Sequence, residues 1–338
     1  MVKFSVIIPV RKFNACVREV LDHLATQTFK NFEVIVVLDE MDLAVARAYS
    51  NVIFLASDAV GPAEKRNLGV AHAHGEIFAF LDDDAFPADD WLASANKVFE
   101  ETGTYALGGP AVTPPNSSSL ERLSGKILES WLSGGFTTYR HKPLSRRFIN
   151  DYPSVNLFVR RIEFKKVGGF CHDFWPGEDT KLCLDLIKLK GCDFLYDPSV
   201  VAYHHRRALF RPFLKQISRY GRQRGYFSKA FPETSRLPLY YVPTLVLAMT
   251  LLGGGLSLFS ALVRFSMLYL ILLYMWLVAY ESWRIARFEK NIKVFGLAFL
   301  GFGLTHVVYG VFFVIGTLRR FTLRLREVSD VSGSYLGG

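Results

Sequence analysis

The sequence predicts a doubly wound, mostly parallel α/β sheet followed by an α-helical membrane region. Short apolar runs rich in β-branched residues alternate with helical stretches through the first hundred residues. Charged residues collect just past the ends of those runs. From Leu239 onward, long apolar segments dominate the chain. Strand–helix alternation gives a parallel sheet covered on both faces, and an apolar run of about 20 residues is long enough to cross a hydrocarbon core.

Residues 4–10 (FSVIIPV), 32–38 (FEVIVVL), 52–56 (VIFLA) and 77–81 (IFAFL) read as strands buried on both faces. Helices are expected at 15–27 and 62–73, the second opening on Pro62, a residue suited to the first helical position. A strand at 105–107 leads into Gly108-Gly109-Pro110, where Gly109 either admits close backbone approach to a ligand or simply makes a tight turn. Residues 113–119 read as a loop, followed by a strand at 155–160, a helix at 179–190 and a strand near 200–204. The α/β domain is expected over 1–205 and a basic amphipathic region over 206–232. Membrane helices follow within 239–320, at 240–262, 265–283 and 294–318, and then a tail at 321–338.

The net charge of +9 concentrates in residues 206–229 and in the arginines after Leu318. Nucleic acid and an anionic membrane surface both suit such charge; the adjacent apolar spans favour membrane lipids and leave no role for nucleic acid. The four cysteines show no metal-site spacing and read as reduced thiols. No charged leader and cleavage site precede the first strand, so no secretory signal is expected. Arg284, Arg287, Lys290 and Lys293 put the loop after the second span in the cytoplasm, together with the α/β domain, with a hairpin turning near Arg264. A third full span would place Arg319, Arg320, Arg324 and Arg326 outside, against the same rule; three spans remain the leading count. The spans carry almost no ionisable groups besides His306 and Glu281, which disfavours a channel or transporter.

In doubly wound sheets, ligands bind beyond the carboxyl ends of the strands. Pro9–Arg11, Asp39-Glu40 and Asp82-Asp83-Asp84 occupy those positions. Three adjacent carboxylates repel one another unless a cation neutralises them. Mg²⁺ or Mn²⁺ with a nucleotide diphosphate does this with one or two carboxylates plus phosphate oxygens; the plain alternative is a solvated acidic turn. Lys65, Arg66 and Asn67 fall in the first turns of the helix after Gly61, where arginine and a helix N-terminus together suit a diphosphate, the alternative being a solvated basic face.

VIIPV, the Asp after VIVVL, GPAEKRNLGVAHAHGEIFAFLDDDAFP, and later GGF and GEDTKLCLDLIKLKG together resemble family 2 glycosyltransferases of the GT-A fold, over residues 4–205. The later YHHRR, QISRYGR and HVVYGVFFVIG are similar to bacterial succinoglycan-type exopolysaccharide transferases. The resemblance implies that Asp39 contacts the nucleotide base, with Pro9 and Arg11 lining its pocket. It further implies that Asp82 contacts the ribose, Asp84 the metal, and Asp179 is the catalytic base, with Glu178 in reserve. Asp83 takes the middle position of the DXD motif, as a further donor contact, and Asp82 doubles as a candidate metal ligand. Asp179 follows Gly177 at the start of a helix, a position that suits a base and equally an ordinary first-turn acid. Trp175 is a candidate wall for a sugar or a core residue, and Asn156 is a candidate cleft residue. His204 and His205 are candidate metal ligands or diphosphate contacts, or ordinary histidines. Residues 206–231 have the composition of a helix in the headgroup layer, apolar rings inward. Within it, Gln216, Arg219 and Tyr220 resemble a cover over acceptor and diphosphate.

The leading expectation is a metal-dependent hexosyltransferase-type enzyme in the cell inner (plasma) membrane. It would move a sugar, with inversion, from a nucleotide-diphosphate sugar to a polyprenyl-linked acceptor in polysaccharide or glycan assembly. A polyprenyl-phosphate sugar synthase is the close alternative, processive synthesis ranks third, and a non-catalytic nucleotide-sugar receptor is the alternative from another class. A homo-oligomer is left open.

Overall fold

The computed structural model describes residues 2–58 and 61–319. The tail expected at 321–338, and with it Arg324 and Arg326, lies outside the described residues, as does Arg320. The first half runs β1 (Phe4–Pro9), α1 (Ala15–Ala25), β2 (Phe32–Leu38), α2 (Leu43–Ala48), β3 (Val52–Ala56), α3 (Pro62–Ala71), β4 (Ile77–Leu81), β5 (Ala85–Pro87), α4 (Trp91–Thr102), β6 (Ala106–Gly108) and β7 (Ala111–Val112). It continues with α5 (Ser119–Glu129), α6 (Trp131–Gly134), β8 (Arg147–Ile149), β9 (Asn156–Arg160), α7 (Arg161–Lys166), α8 (Glu178–Lys190), β10 (Phe194–Tyr196) and β11 (Ala202–His204). Five helices close the described chain: α9 (Arg211–Ala230), α10 (Pro232–Ser235), α11 (Pro238–Leu256), α12 (Ala261–Phe288) and α13 (Lys293–Leu318).

The strand residues alternate between two cores, which is why the runs are apolar throughout. Val6 and Ile8 of β1 join Val17, Leu21 and Leu24 of α1 and Trp91 and Leu92 of α4 on one face. Ile7, between them in sequence, faces the other way, into a core with Ala63 and Val70 of α3 and Leu182 and Leu186 of α8. Asn14 starts α1 by accepting the backbone N–H groups of Cys16 and Val17 at 2.8 and 3.1 Å, and Ser118 with Glu121 forms a capping box on α5.

The main sheet has the order β3-β2-β1-β4-β9-β6-β10-β8. The expectation of a mostly parallel sheet holds for β3, β2, β1 and β4 and for the β6–β10 pair. β9 enters antiparallel between β4 and β6, and β8 closes the edge antiparallel to β10, so the sheet is mixed. A small second sheet, β5-β11-β7, starts directly after Asp84 and pairs the segment that follows β4 with the one that ends in His204.

α11, α12 and α13 are each long and apolar enough to cross a membrane. The α11–α12 connection falls at 257–260, about one helical turn earlier than the hairpin expected near Arg264, which lies inside the first turn of α12. The apolar face of α9 departs from expectation. Instead of pointing to lipid, Phe213 and Ile217 are buried with Ile127 of α5, Val278 of α12 and Phe302 of α13. The long apolar helices occupy the side of α9 that lipid was expected to fill.

Candidate active site

The carboxyl ends of β1, β2 and β4 meet the N-terminus of α8 at one edge of the sheet, next to the point where strand order reverses at β1. Two side chains from the first turns of α3 organise this edge. Lys65, almost fully buried, donates to the Val10 carbonyl at 2.7 Å and pairs with Asp39. Arg66, also buried, donates to Asp82 at 2.7 Å and to Glu178 at 3.0 Å, with its guanidinium 5.3 Å from the Phe170 ring centre. Both were expected on a diphosphate. Their burial corrects that: they tie the carboxylates of β2, β4 and α8 into one cleft, because buried cations require anionic partners.

Glu178 is consumed by this clamp, accepting from Arg66 and from the Gly177 N–H at 3.0 Å. Asp179 beside it is partly buried, accepts the Thr180 N–H at 2.8 Å, and is pushed up to about 7, by burial first and then by Glu178 and Asp151. Gly177 has φ 122°, a region that favours glycine, and a Cβ there would come within 2.6 Å of the Phe227 ring on α9. Thus glycine both turns the chain into α8 and lets α9 close over it.

Asp83 and Asp84 follow β4 and diverge. Burial pushes Asp83 up to about 6, reinforced by Asp84 and Asp82. Burial acts the same way on Asp84, but His204, Arg207 and His205 outweigh it and hold that carboxyl at about 2. His204 Nε2 stands 3.2 Å from Asp84 Oδ1, and an Arg207 Nη2 donates to Oδ2 at 2.7 Å. Among the described residues no group of three or more His, Cys, Asp or Glu is arranged to hold a metal. Asp84 and His204 are a carboxylate and an imidazole side by side, a pair of potential metal donors whose other carboxylate oxygen is held by Arg207.

Several expected residues sit elsewhere. His205 turns away, pairing with Glu19 of α1 at 2.6 Å, because β11 alternates its side chains. Asn156 is fully buried: its Nδ2 donates to the carbonyls of Gly109, Pro110 and Val200, and its Oδ1 accepts from Trp91 Nε1 at 2.8 Å. It is a clamp between strands, with no free edge for a cleft. Gly109 likewise packs on protein, since a Cβ there would lie 1.9 Å from the Val200 carbonyl oxygen. Pro9 is buried at the end of β1, whereas Arg11 is 85% exposed and 3.8 Å from Asp39. Trp175 is exposed, while its neighbour Phe174 packs on Phe227 and Phe231. On α9, Gln216 donates to the Tyr220 hydroxyl at 2.8 Å and Arg219 is exposed. Tyr220 is itself 45% exposed, and α9 meets the start of α8 through Phe227 at Gly177.

The sequence reading missed Arg207, although it stands at the end of His204-His205-Arg206-Arg207, a basic cluster at the acidic sheet edge. It also missed a buried hub. Asp151 pairs with Arg224 of α9, lies 3.2 Å from Arg140, and accepts the Thr180 hydroxyl at 2.9 Å. Arg224 also donates to Ser235 at 3.0 Å and lies over the Tyr240 ring. Burial raises Asp151, yet Arg224 and Arg140 hold it well below the usual carboxylate range.

The profile of the family described as Glycosyl transferase family 2 matches residues 5–163. The pre-mycofactocin glycosyltransferase of Mycobacterium tuberculosis is 28% identical over 268 residues, 77% of this chain and 55% of the relative, so the chain spans about half that protein's length. Glycosyltransferase AglE of Haloferax volcanii is 30% identical over 233 residues, 64% of this chain and 71% of the relative. The fold is shared with the mannosyltransferase PcManGT from Pyrobaculum calidifontis, solved in complex with GDP-Man and Mn²⁺. That likeness has a TM-score of 0.63 at 18% identity and covers 94% of this chain and 87% of the other. Similarity to the succinoglycan type is not among these findings.

Proposed function

The chain belongs to glycosyl transferase family 2, and from that premise we propose that it moves a sugar, with inversion, from a nucleoside-diphosphate donor to a polyprenyl-linked acceptor at a membrane surface. The observation that carries this is the clamp of Lys65 and Arg66. It holds Asp39, Asp82 and the start of α8 at one sheet edge and engages Glu178, so that Asp179 beside it is the α8 carboxylate left with a raised pKa.

Asp39 and Arg11 flank the place for the nucleotide base, and Asp82 that for the ribose. Asp84 and His204 would hold Mg²⁺ or Mn²⁺, the metal of the solved mannosyltransferase that shares the fold. When bound, that ion supplies charge neutralisation for the departing diphosphate. Asp179 accepts the acceptor hydroxyl's proton as the oxygen attacks the anomeric carbon and the bond to the diphosphate breaks. A base of pKa near 7 retains proton affinity while staying largely ionised in mildly alkaline solution. One such carboxylate suits a single displacement, hence inversion. α9 and the apolar helices beside the cleft support an acceptor whose sugar end sits at a lipid surface. By the positive-inside rule that surface is the cytoplasmic face of the cell membrane.

Purified full-length protein should transfer or hydrolyse one member of a nucleotide-sugar panel, with activity lost in chelator and restored by Mn²⁺. Asp179→Asn should lower kcat by about 10²–10⁴ while donor binding persists. Binding without turnover in the unsubstituted chain, indifferent to Asp179→Asn, would instead identify a receptor. An acid-labile sugar phosphodiester as product would replace the glycan acceptor with the lipid phosphate itself.

A further inference from the structure

We infer that α13 does not cross the membrane but lies along one leaflet, sandwiched between α9 and lipid, so that α11 and α12 alone form the membrane hairpin. The start of α13 is fastened to the α/β domain directly, and its end is fastened to the same domain through α9. Just before its start, Glu289 accepts two hydrogen bonds from Arg122 of α5, at 3.1 and 2.9 Å, and Lys126 lies 4.4 Å from the Phe288 ring centre. Just past its end, the Arg319 carbonyl accepts from Lys229 of α9 at 2.7 Å. That end of α9 is itself held to the domain through Arg224 on Asp151 and, one helix on, Glu233 at 3.3 Å from Lys188 of α8. A helix of 26 residues is about 39 Å long. With both ends on one globular domain, it runs across the surface of that domain and not away from it.

Between its ends, α13 follows α9 in the same direction at backbone distance. A Cβ on Gly221 would lie 2.6 Å from the Tyr309 carbonyl oxygen, one on Gly225 2.0 Å from that of Phe313, and one on Gly316 2.0 Å from that of Arg222. Further back, a Cβ on Gly301 would approach Leu209 to 3.2 Å. A transmembrane α13 would therefore carry α9 with it into the hydrocarbon, along with Arg219, Arg222, Arg224 and Lys229. Each such cation costs about 2.5–3.5 kcal/mol at the bilayer centre, and the companion helix has no apolar exterior to offset it.

The opposite face of α13 is a stripe of exposed apolar side chains at helical spacing: Leu300, Leu304, Val307, Val311, Ile315 and Leu318. Its partner is lipid, because the stripe continues into the inserted hairpin. α11 crosses α13 where Thr244 donates to the Gly310 carbonyl at 3.1 Å, and the far ends of α11 and α12 expose Leu251, Leu252, Phe259 and Leu262. Arg222 over Phe312 and Arg319 over Tyr226 supply cations and a phenol at the level of the headgroups. An in-plane α13 also removes the conflict in the charge pattern. Arg319 at its end stays on the same side as Arg284, Arg287, Lys290 and Lys293.

Given α11 and α12 in a bilayer, as proposed above, the test is orientation-independent. Full-length protein tagged at both ends is reconstituted into sealed liposomes and treated with protease from outside. An even number of crossings makes each molecule lose both tags or neither; molecules that each lose one tag would mean α13 crosses, and would overturn the inference. Protein that does not float with liposomes at all would fail the membrane reading itself. A dye on Val311→Cys, read against identical labelling of the unsubstituted chain, should be quenched by brominated acyl chains. Disulfide-linked dimers through Val311→Cys without quenching would put a second copy on the face in place of lipid.

Discussion

Burial raises both Asp179 and Asp84, but the anions of Glu178 and Asp151 add to it at Asp179, pushed up to about 7, whereas His204 and Arg207 outweigh it at Asp84, held at about 2. The base must be ionised, so kcat/KM should rise with pH through about 7 and level off above it. The hub under α8 tunes that limb. The anion of Asp151 raises Asp179, so Asp151→Asn should move the acid limb down, by on the order of one pH unit. Arg224→Gln strips Asp151 of its nearest cation and should move the limb up. A purely structural role would lower activity in both variants with the limb unmoved. Stability follows the same signs. Asp151, held low, contributes stability at neutral pH that is lost as pH falls through its folded value. Asp179 keeps a proton that the unfolded chain releases from 3.8 upward, so its contribution falls as pH climbs towards 7.

Two helix contacts decide how the elements lock. Gly177 places α8 against Phe227, and Gly225 places α9 against the Phe313 carbonyl. A side chain at Gly225 meets backbone, which cannot rotate away. Gly225→Leu should therefore destabilise the α9–α13 pair by about 1–3 kcal/mol, read as a lower unfolding temperature in detergent. Because α9 also packs through Phe227 against the start of α8, where Asp179 lies, transfer activity should fall more steeply than stability. Gly177→Ala combines that crowding with a φ of 122°, a strain of order 1–3 kcal/mol. Its loss should appear mainly in kcat, since the displaced element begins with Glu178 and Asp179.

Across the whole molecule, a net charge of +9 and an exposed apolar hairpin offer two distinct routes to a membrane. They separate cleanly by salt. At 1 M ionic strength, screening confines electrostatics to about 3 Å, while burial of apolar side chains is undiminished. Full-length protein should thus remain with floated liposomes in 1 M salt, and of neutral as well as anionic composition. Release by salt would mean that the basic surface, and not α11 and α12, holds the protein.

Local sequence determined the strands, their two-faced burial, the charged residues at their carboxyl ends and the long apolar helices, because each is written in periodicity and in adjacent residue types. Asp82 and Asp84 stood out as candidates for that reason, at the carboxyl end of a buried strand, whereas the role proposed for Asp179 came from the family resemblance. What only the tertiary structure decided is which charges neutralise one another. Lys65 and Arg66 read as free cations until Asp39, Asp82 and Glu178 closed on them, and Asn156 read as a cleft residue until three carbonyls surrounded it. Arg224 and Asp151 stand 73 positions apart, and no local pattern links them. Composition equally cannot tell lipid from protein as the neighbour of an apolar helix, since both offer it the same escape from water; the fold alone gave α13 to α9.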